Sequence, residues 1–268
     1  MREIVNIVLY NYPLSPCGEK VRFALAEKGI AYEYRHVDLG AKENLTPDFL
    51  AMSPQGYVPV LVVDGATFIE STVINELIDE ISPQPPLKPA AFRDRARMRL
   101  WTKLVDEVLH PAWPGIAWPI LVRPAWQAKP SGIVEDMLAK LLDPARRDRQ
   151  RRMYREGVDA PGAIESVGIF TDVCDQMEEC LRRTPWLAGD AYSLADIALL
   201  PYCFAIDAFG MRALFENRRP ALADWYRRCD ARPAYGNGIR SMFDPARLGE
   251  VECLGREAWV SIARRLRT

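Results

Sequence analysis

The residues best placed to do chemistry lie in "YNYPLSPCGEKVRFALAEKGI", Tyr10 to Ile30, where Ser15 and Cys17 sit two apart at the mouth of a run with helical spacing. A serine hydroxyl there can accept a bond from the backbone as a helix N-cap and donate its own proton at the same time. A thiol there would feel the positive end of the helix, which favours the thiolate. A Ser-His-Asp relay is short of parts, because the chain has two histidines, His36 and His110, far apart in sequence. Six cysteines (Cys17, Cys174, Cys180, Cys203, Cys229, Cys253) show no C-x-x-C spacing and read as ordinary buried thiols, so no metal is expected.

The elements that position these residues follow from periodicity. Ile4 to Tyr10 is rich in β-branched residues, Cys17 to Lys28 has its apolar residues at helical spacing before Gly29, and Tyr32 to Val37 is a second extended run. That order is β-α-β, the connection parallel strands need. A short helix in "TPDFLAMSPQG", two strands in "YVPVLVVDGATFIES" joined at Asp64-Gly65, and a helix opened by Ser71 complete β-α-β-α-β-β-α. Val73, Ile74, Leu77, Ile78 and Ile81 are expected to form the buried stripe of that last helix. "SPQPPLKPAAF", with four prolines, cannot continue a helix. The boundaries expected are residues 1–82, a linker at 83–92 and an all-α domain at 93–268. In the latter, "ARMRLWTKLVDEVL", "GIFTDVCDQMEECLRR", "SLADIALLPYCFAIDAFG", "ALADWYRRCDARPA" and "GREAWVSIARRLR" read as helices. Ser193 with Asp196 three residues later forms a capping box.

The bulk numbers narrow the partners. With 268 residues, 49% hydrophobic and 26% charged, the chain suits a globular protein with room for two cores. A net charge of -1 supplies no global field to hold nucleic acid or an anionic membrane, which favours a small-molecule ligand. The longest apolar run, Ile197 to Ile206, is too short to cross a bilayer, and charge interrupts the first residues, so a cytoplasmic location is expected. "ARRDRQRRMYRE" carries six arginines, but Asp148 and Glu156 lie among them, and it reads as an exposed helix or loop with counterions.

Four motifs in register, "SPCGEKVRFALAEKGI", "VPVL" at Val58 to Leu61, "ESTVI" at Glu70 to Ile74 and "YSLADI" at Tyr192 to Ile197, resemble the glutathione transferase superfamily. The resemblance implies a thioredoxin-like N-terminal domain, a helical C-terminal domain, glutathione as co-substrate and a homodimer. "ESTVINELIDE", "RMRLWTKLVDE" and a long segment before "YSLADI" are more finely similar to bacterial glutathione-dependent β-aryl ether cleaving enzymes.

By that resemblance Ser15 is the residue that donates to the glutathione sulfur. Val58 and the cis Pro59 would pair with the cysteinyl backbone of glutathione, and Glu70 and Ser71 would take its γ-glutamyl end. At the glycyl end the chain departs from its relatives: Asn44 and Gly56 or Gln55 stand where many have histidine or lysine, and Lys42 is the expected substitute. The second substrate, an apolar or aromatic compound, is expected against Tyr12 and the tryptophans of "DEVLHPAWPGIAWPILVRPAW", with Trp113 and Trp118 as walls. Two alternatives stand beside attack by the glutathione thiolate on an aromatic electrophile. One is a glutathione-binding protein without catalysis; the other is thiol-disulfide exchange through Cys17.

Overall fold

The structure, a computed structural model, describes residues 6–141 and 143–265. Ile4 and Val5 of the expected first strand, and Leu266 and Arg267 of the expected last helix, lie outside the described residues.

The first eighty residues fold as β1 (Ile7–Asn11), α1 (Pro16–Glu27), β2 (Glu33–His36), α2 (Pro47–Met52), β3 (Val60–Val63), β4 (Ala66–Phe68) and α3 (Ser71–Ile81). The sheet order is β2-β1-β3-β4, with β1 and β2 parallel and the other pairs antiparallel. Asp64 and Gly65 both take positive φ, 48° and 83°, and join β3 to β4 in the two-residue turn the D-G pair predicts. Leu9, Phe23, Val60, Leu61, Ile74 and Ile78 are fully buried, each worth roughly 1.5–3 kcal/mol of apolar transfer.

The buried face of α3 differs from its apolar stripe. Val73 is 57% exposed, while Asn75 and Asp79 are buried. Asp79 Oδ1 accepts from Lys28 Nζ at 2.5 Å and from the Leu87 N–H at 2.7 Å. Lys28 Nζ also donates to the Pro85 carbonyl, so one buried ion pair fastens the proline-rich segment to α1 and α3. Two buried charges are tolerated because each has the other and further bonds. Glu70 is the N-cap of α3 and Ser71 its first helical residue.

From residue 92 on, every described element is helical: α4 (Phe92–Leu104), α5 (His110–Ala117), α6 (Arg123–Gln127), α7 (Ser131–Ala139), α8 (Pro144–Glu156), α9 (Ala163–Leu181), α10 (Leu194–Ala208), α11 (Ala213–Glu216), α12 (Pro220–Asp230), α13 (Pro233–Gly238) and α14 (Pro245–Arg265), with short 3-10 turns. Two π-helical stretches, Val105–Leu109 and Trp118–Val122, bracket α5. The proline-rich stretch around Trp113 therefore stays helical. Residues 92–127 form one uninterrupted helical run that contains Pro111, Pro114, Pro119 and Pro124; Pro111 and Pro124 each lie just after a π stretch and Pro119 lies within one, where the hydrogen-bond ladder shifts register. The arginine run forms α8; Arg151 pairs with Glu135 and Asp148, and Arg155 with Glu135, as an exposed face with counterions should.

The chain packs as two compact units that interleave in sequence. The first comprises residues 1–102, 183–202 and 224–243; the second comprises residues 103–182, 203–223 and 244–268. In the first, Gly238 packs so closely on α1 that a Cβ would lie 2.9 Å from Phe23 Cα. In the second, a Cβ at Gly115 would meet Ser166 Oγ at 2.2 Å, so α5 and α9 cross at near backbone contact.

Candidate active site

Sheet register brings the motif residues of the first unit to one end. Asn11 ends β1 opposite His36 at the end of β2; Val60, opposite Tyr10, starts β3 just after Pro59; Phe68, opposite Leu61, leads to Glu70. The loops carrying Tyr12 to Ser15, Lys42, Val58 to Pro59 and Glu70 to Ser71 thus all leave the sheet at this end. Residues up to sixty apart in sequence share an edge because β1 runs parallel to β2 and antiparallel to β3.

Ser15 is the N-cap of α1 in extended conformation (φ -88°, ψ 115°), followed by Pro16 at the first helical position. Its N–H donates to the Tyr12 carbonyl at 3.0 Å, and its Oγ accepts from the Gly18 N–H at 3.4 Å. That long cap bond leaves the hydroxyl proton for another acceptor. Ser15 and Cys17 are half-buried. Tyr12 is half-buried too, its ring centroid 5.9 Å from that of His36.

Val58–Pro59 is cis, as the resemblance implies. Glu70 has φ 68°, a left-handed backbone that side chains rarely adopt and that clusters at functional sites. Glu70 is exposed and Ser71 buried, at the start of the 11-residue α3, whose free N–H groups suit a carboxylate.

Lys42 is half-buried with φ 65°, just before the turn that holds Asn44. Asn44 itself is buried, and its Nδ2 donates to the Gly56 carbonyl at 2.6 Å. It braces the loop that leads to Val58 and Pro59. Gly56 needs its φ of 65°, and a Cβ there would sit 2.8 Å from the Asn44 carbonyl. Gly56→Ala is expected to destabilise the fold by about 1–2 kcal/mol, read as a lower urea midpoint.

Three residues that the motifs did not flag lie behind the turn: Asn11, Glu19 and Arg22 are 0%, 2% and 0% exposed. The parity of β1 carries a signal for Asn11, since Ile7, Leu9 and Asn11 all point to the buried face. Burial pushes the Glu19 carboxyl up to about 8; the Arg22 guanidinium offsets part of this and Cys17 adds to it. The folded protein therefore holds this proton more tightly than the unfolded chain, whose carboxyl titrates near 4.5. The group's contribution to stability is full below about pH 4.5 and is lost as pH rises through about 8. Urea unfolding from pH 5 to 9 is expected to show this decline in the intact protein and a flatter profile in Glu19→Gln.

In the second unit, Trp113 is 6% exposed and stacks on Phe209 with centroids 5.9 Å apart. Trp118 is 7% exposed and meets Trp126 edge-on at 4.9 Å. Both belong to the core of that unit. The capping box is as its spacing predicts: Ser193 Oγ accepts from the Ala195 N–H at 3.3 Å, and Asp196 Oδ2 accepts from the Ser193 N–H at 2.9 Å. Among the described residues no cluster of three or more His, Cys, Asp or Glu could hold a metal, and no helix is long and apolar enough to cross a membrane.

A mixed four-stranded sheet of this order followed by an all-helical region is the architecture of glutathione-dependent transferases. The chain belongs to the glutathione S-transferase family: residues 9–86 match its N-terminal domain and residues 144–228 its C-terminal domain. It is 31% identical over 238 residues to Glutathione S-transferase 3 of Zea mays, covering 87% of this chain and 93% of that protein. It is 28% identical over 248 residues to Protein LigF of Sphingobium sp. (strain NBRC 103272 / SYK-6), covering 91% and 95%. Its fold is similar to the crystal structure of the beta-etherase LigF from Sphingobium sp. strain SYK-6, with TM-score 0.78 and 29% identity over 89% of this chain and 98% of that one. It is also similar to glutathione transferase F7 from Populus trichocarpa, with TM-score 0.69 and 27% identity over 89% and 100%.

Proposed function

We propose that this protein is a glutathione transferase in which Ser15 keeps the bound thiol ionised and the thiolate attacks an aromatic electrophile, cleaving a β-aryl ether. The observation that carries the reading is the half-buried N-cap hydroxyl of Ser15, with its proton uncommitted to the cap, at the sheet edge shared with cis Pro59 and Glu70. Val58 and Pro59 take the cysteinyl backbone as an added strand would, Glu70 and Ser71 take the γ-glutamyl ammonium and carboxylate, and Lys42 takes the glycyl carboxylate. Tyr12 meets the aromatic substrate. Residues 1–82 supply the glutathione half, 83–92 link it, and 93–268 supply the rest.

The likeness to the beta-etherase LigF supports aryl ether cleavage over general conjugation, since a phenolate leaves once a positioned strong nucleophile attacks the carbon bearing it. We place the protein in the cytoplasm as a homodimer; the exposed Tyr57, Val73, Phe92 and Leu100 of the first unit support self-association. Glutathione-dependent release of phenol from a β-aryl ether model compound tests the activity. Retention on immobilised glutathione with no turnover of aryl ethers or aryl halides would leave only a binding protein.

A further inference from the structure

Five side-chain atoms of the buried trio behind the turn have no partner in the protein: Asn11 Oδ1 and Nδ2, Glu19 Oε2, and Arg22 Nε and Nη1. Open polar atoms cost about 1–3 kcal/mol each when buried, so a fold retains such a group only for a purpose or with internal water to bridge it.

The same three residues hold the turn from behind. The Asn11 amide fills the space that Gly18 leaves: a Cβ at Gly18 would fall 1.8 Å from Asn11 Oδ1. Gly18 is the residue whose N–H caps Ser15 Oγ. Arg22 Nη2 donates to the Pro13 carbonyl at 3.0 Å, and the Glu19 carboxyl is buried next to Gly18, where the main-chain bond from its N–H to the Ser15 carbonyl opens α1. From the strands, Tyr34 OH and the Val37 N–H both donate to the Asn11 carbonyl, at 3.2 and 2.9 Å. Pro13 is therefore held by the Arg22 side chain and Gly18 is backed by the Asn11 amide, and the buried Glu19 carboxyl lies beside Gly18 within Coulomb reach of Arg22.

We propose that Asn11, Glu19 and Arg22 form a buried, water-bridged polar support that positions the Ser15 hydroxyl and the first amides of α1 for the sulfur of glutathione. These are positioning residues: they touch the turn, not the ligand. The proposal rests on the reading of Ser15 given above. A support of this kind leaves glutathione affinity nearly intact, because the cis-proline and Glu70 loops are separate from it, and acts on the fraction of thiolate.

The test is the ultraviolet titration of the thiolate of bound glutathione, with kcat and KM measured alongside. Asn11→Ala is expected to raise the pKa of the bound thiol by about one unit and lower kcat near neutral pH about tenfold, with KM for glutathione within about twofold. In a Ser15→Ala background the same change is expected to add nothing, since the support acts through that hydroxyl. Glu19→Leu keeps the volume without the polar group and is expected to raise the pKa likewise, while Glu19→Gln restores it. If Ser15→Ala raises the pKa but Asn11→Ala and Glu19→Leu do not, the support is overturned and Ser15 stands. If Ser15→Ala itself leaves the pKa unmoved, the reading of Ser15 fails and this proposal with it. Should Asn11→Ala not fold, the Glu19→Leu and Glu19→Gln pair decides: equal pKa values in the two overturn the proposal.

Discussion

Ser15→Ala is expected to raise the pKa of the bound glutathione thiol by about two units and to cut glutathione-dependent turnover near neutral pH about hundredfold. An ordinary thiol titrates near about 8.5, so most of it is protonated at neutral pH, and lowering that by about two units takes roughly 2.7 kcal/mol of preference for the thiolate. A charge-assisted bond from the Ser15 hydroxyl is the largest contributor available, with the positive end of the 12-residue α1 beside it. Alanine removes the first and leaves the second. The lost cap also weakens the helix, by about 0.5–1 kcal/mol given the long bond to Gly18, so folding stability is measured in parallel. Cys17→Ala is expected to keep turnover. A dithiol-dependent reductase activity that survives Ser15→Ala and disappears with Cys17→Ala would instead establish thiol-disulfide exchange.

Asp196→Ala is expected to destabilise the protein by about 4 kcal/mol, several times the roughly 1 kcal/mol that a helix cap alone is worth. The carboxylate is fully buried and accepts from four donors: the Leu187 N–H at 3.1 Å, the Ser193 N–H at 2.9 Å, the Ser193 hydroxyl at 3.2 Å and Trp225 Nε1 at 2.8 Å. Alanine strands all of them away from water, and Trp225 is itself fully buried. Burial raises the Asp196 carboxyl to about 6 in spite of those donors. The folded state thus binds this proton better than an unfolded chain with its carboxyl near 3.8, so the group's contribution falls as pH rises from about 4 through about 6. The deficit of Asp196→Ala in urea unfolding is expected to be larger at pH 4 than at pH 8. A deficit near 1 kcal/mol at both pH values would mean that Asp196 is only a cap.

Much of the fold is legible in the chain because its signals are local. The β-branched runs of β1 and β3, the D-G pair at Asp64 and Gly65, Pro16 after Ser15, and Ser193 with Asp196 each act within a few residues, and the structure has each where the sequence puts it. The four prolines around Trp113 do not end the helical run, which carries them beside its two π-helical stretches.

What the sequence by itself determined is the β-α-β-α-β-β-α order of the first eighty residues, the all-helical character of the rest and the hydroxyl at the mouth of α1, since caps, turns and periodicity depend on neighbours along the chain. Only the tertiary structure decided that α3 buries Asn75 and Asp79 and exposes Val73, that Trp113 and Trp118 lie in a core, and that Asp196 also holds Trp225. It likewise decided that Asn11, Glu19 and Arg22 are shut behind Ser15. Burial and hydrogen-bond partnership are settled by residues tens of positions away, and until the sheet register is set nothing in a local window says which polar side chain will lose its water.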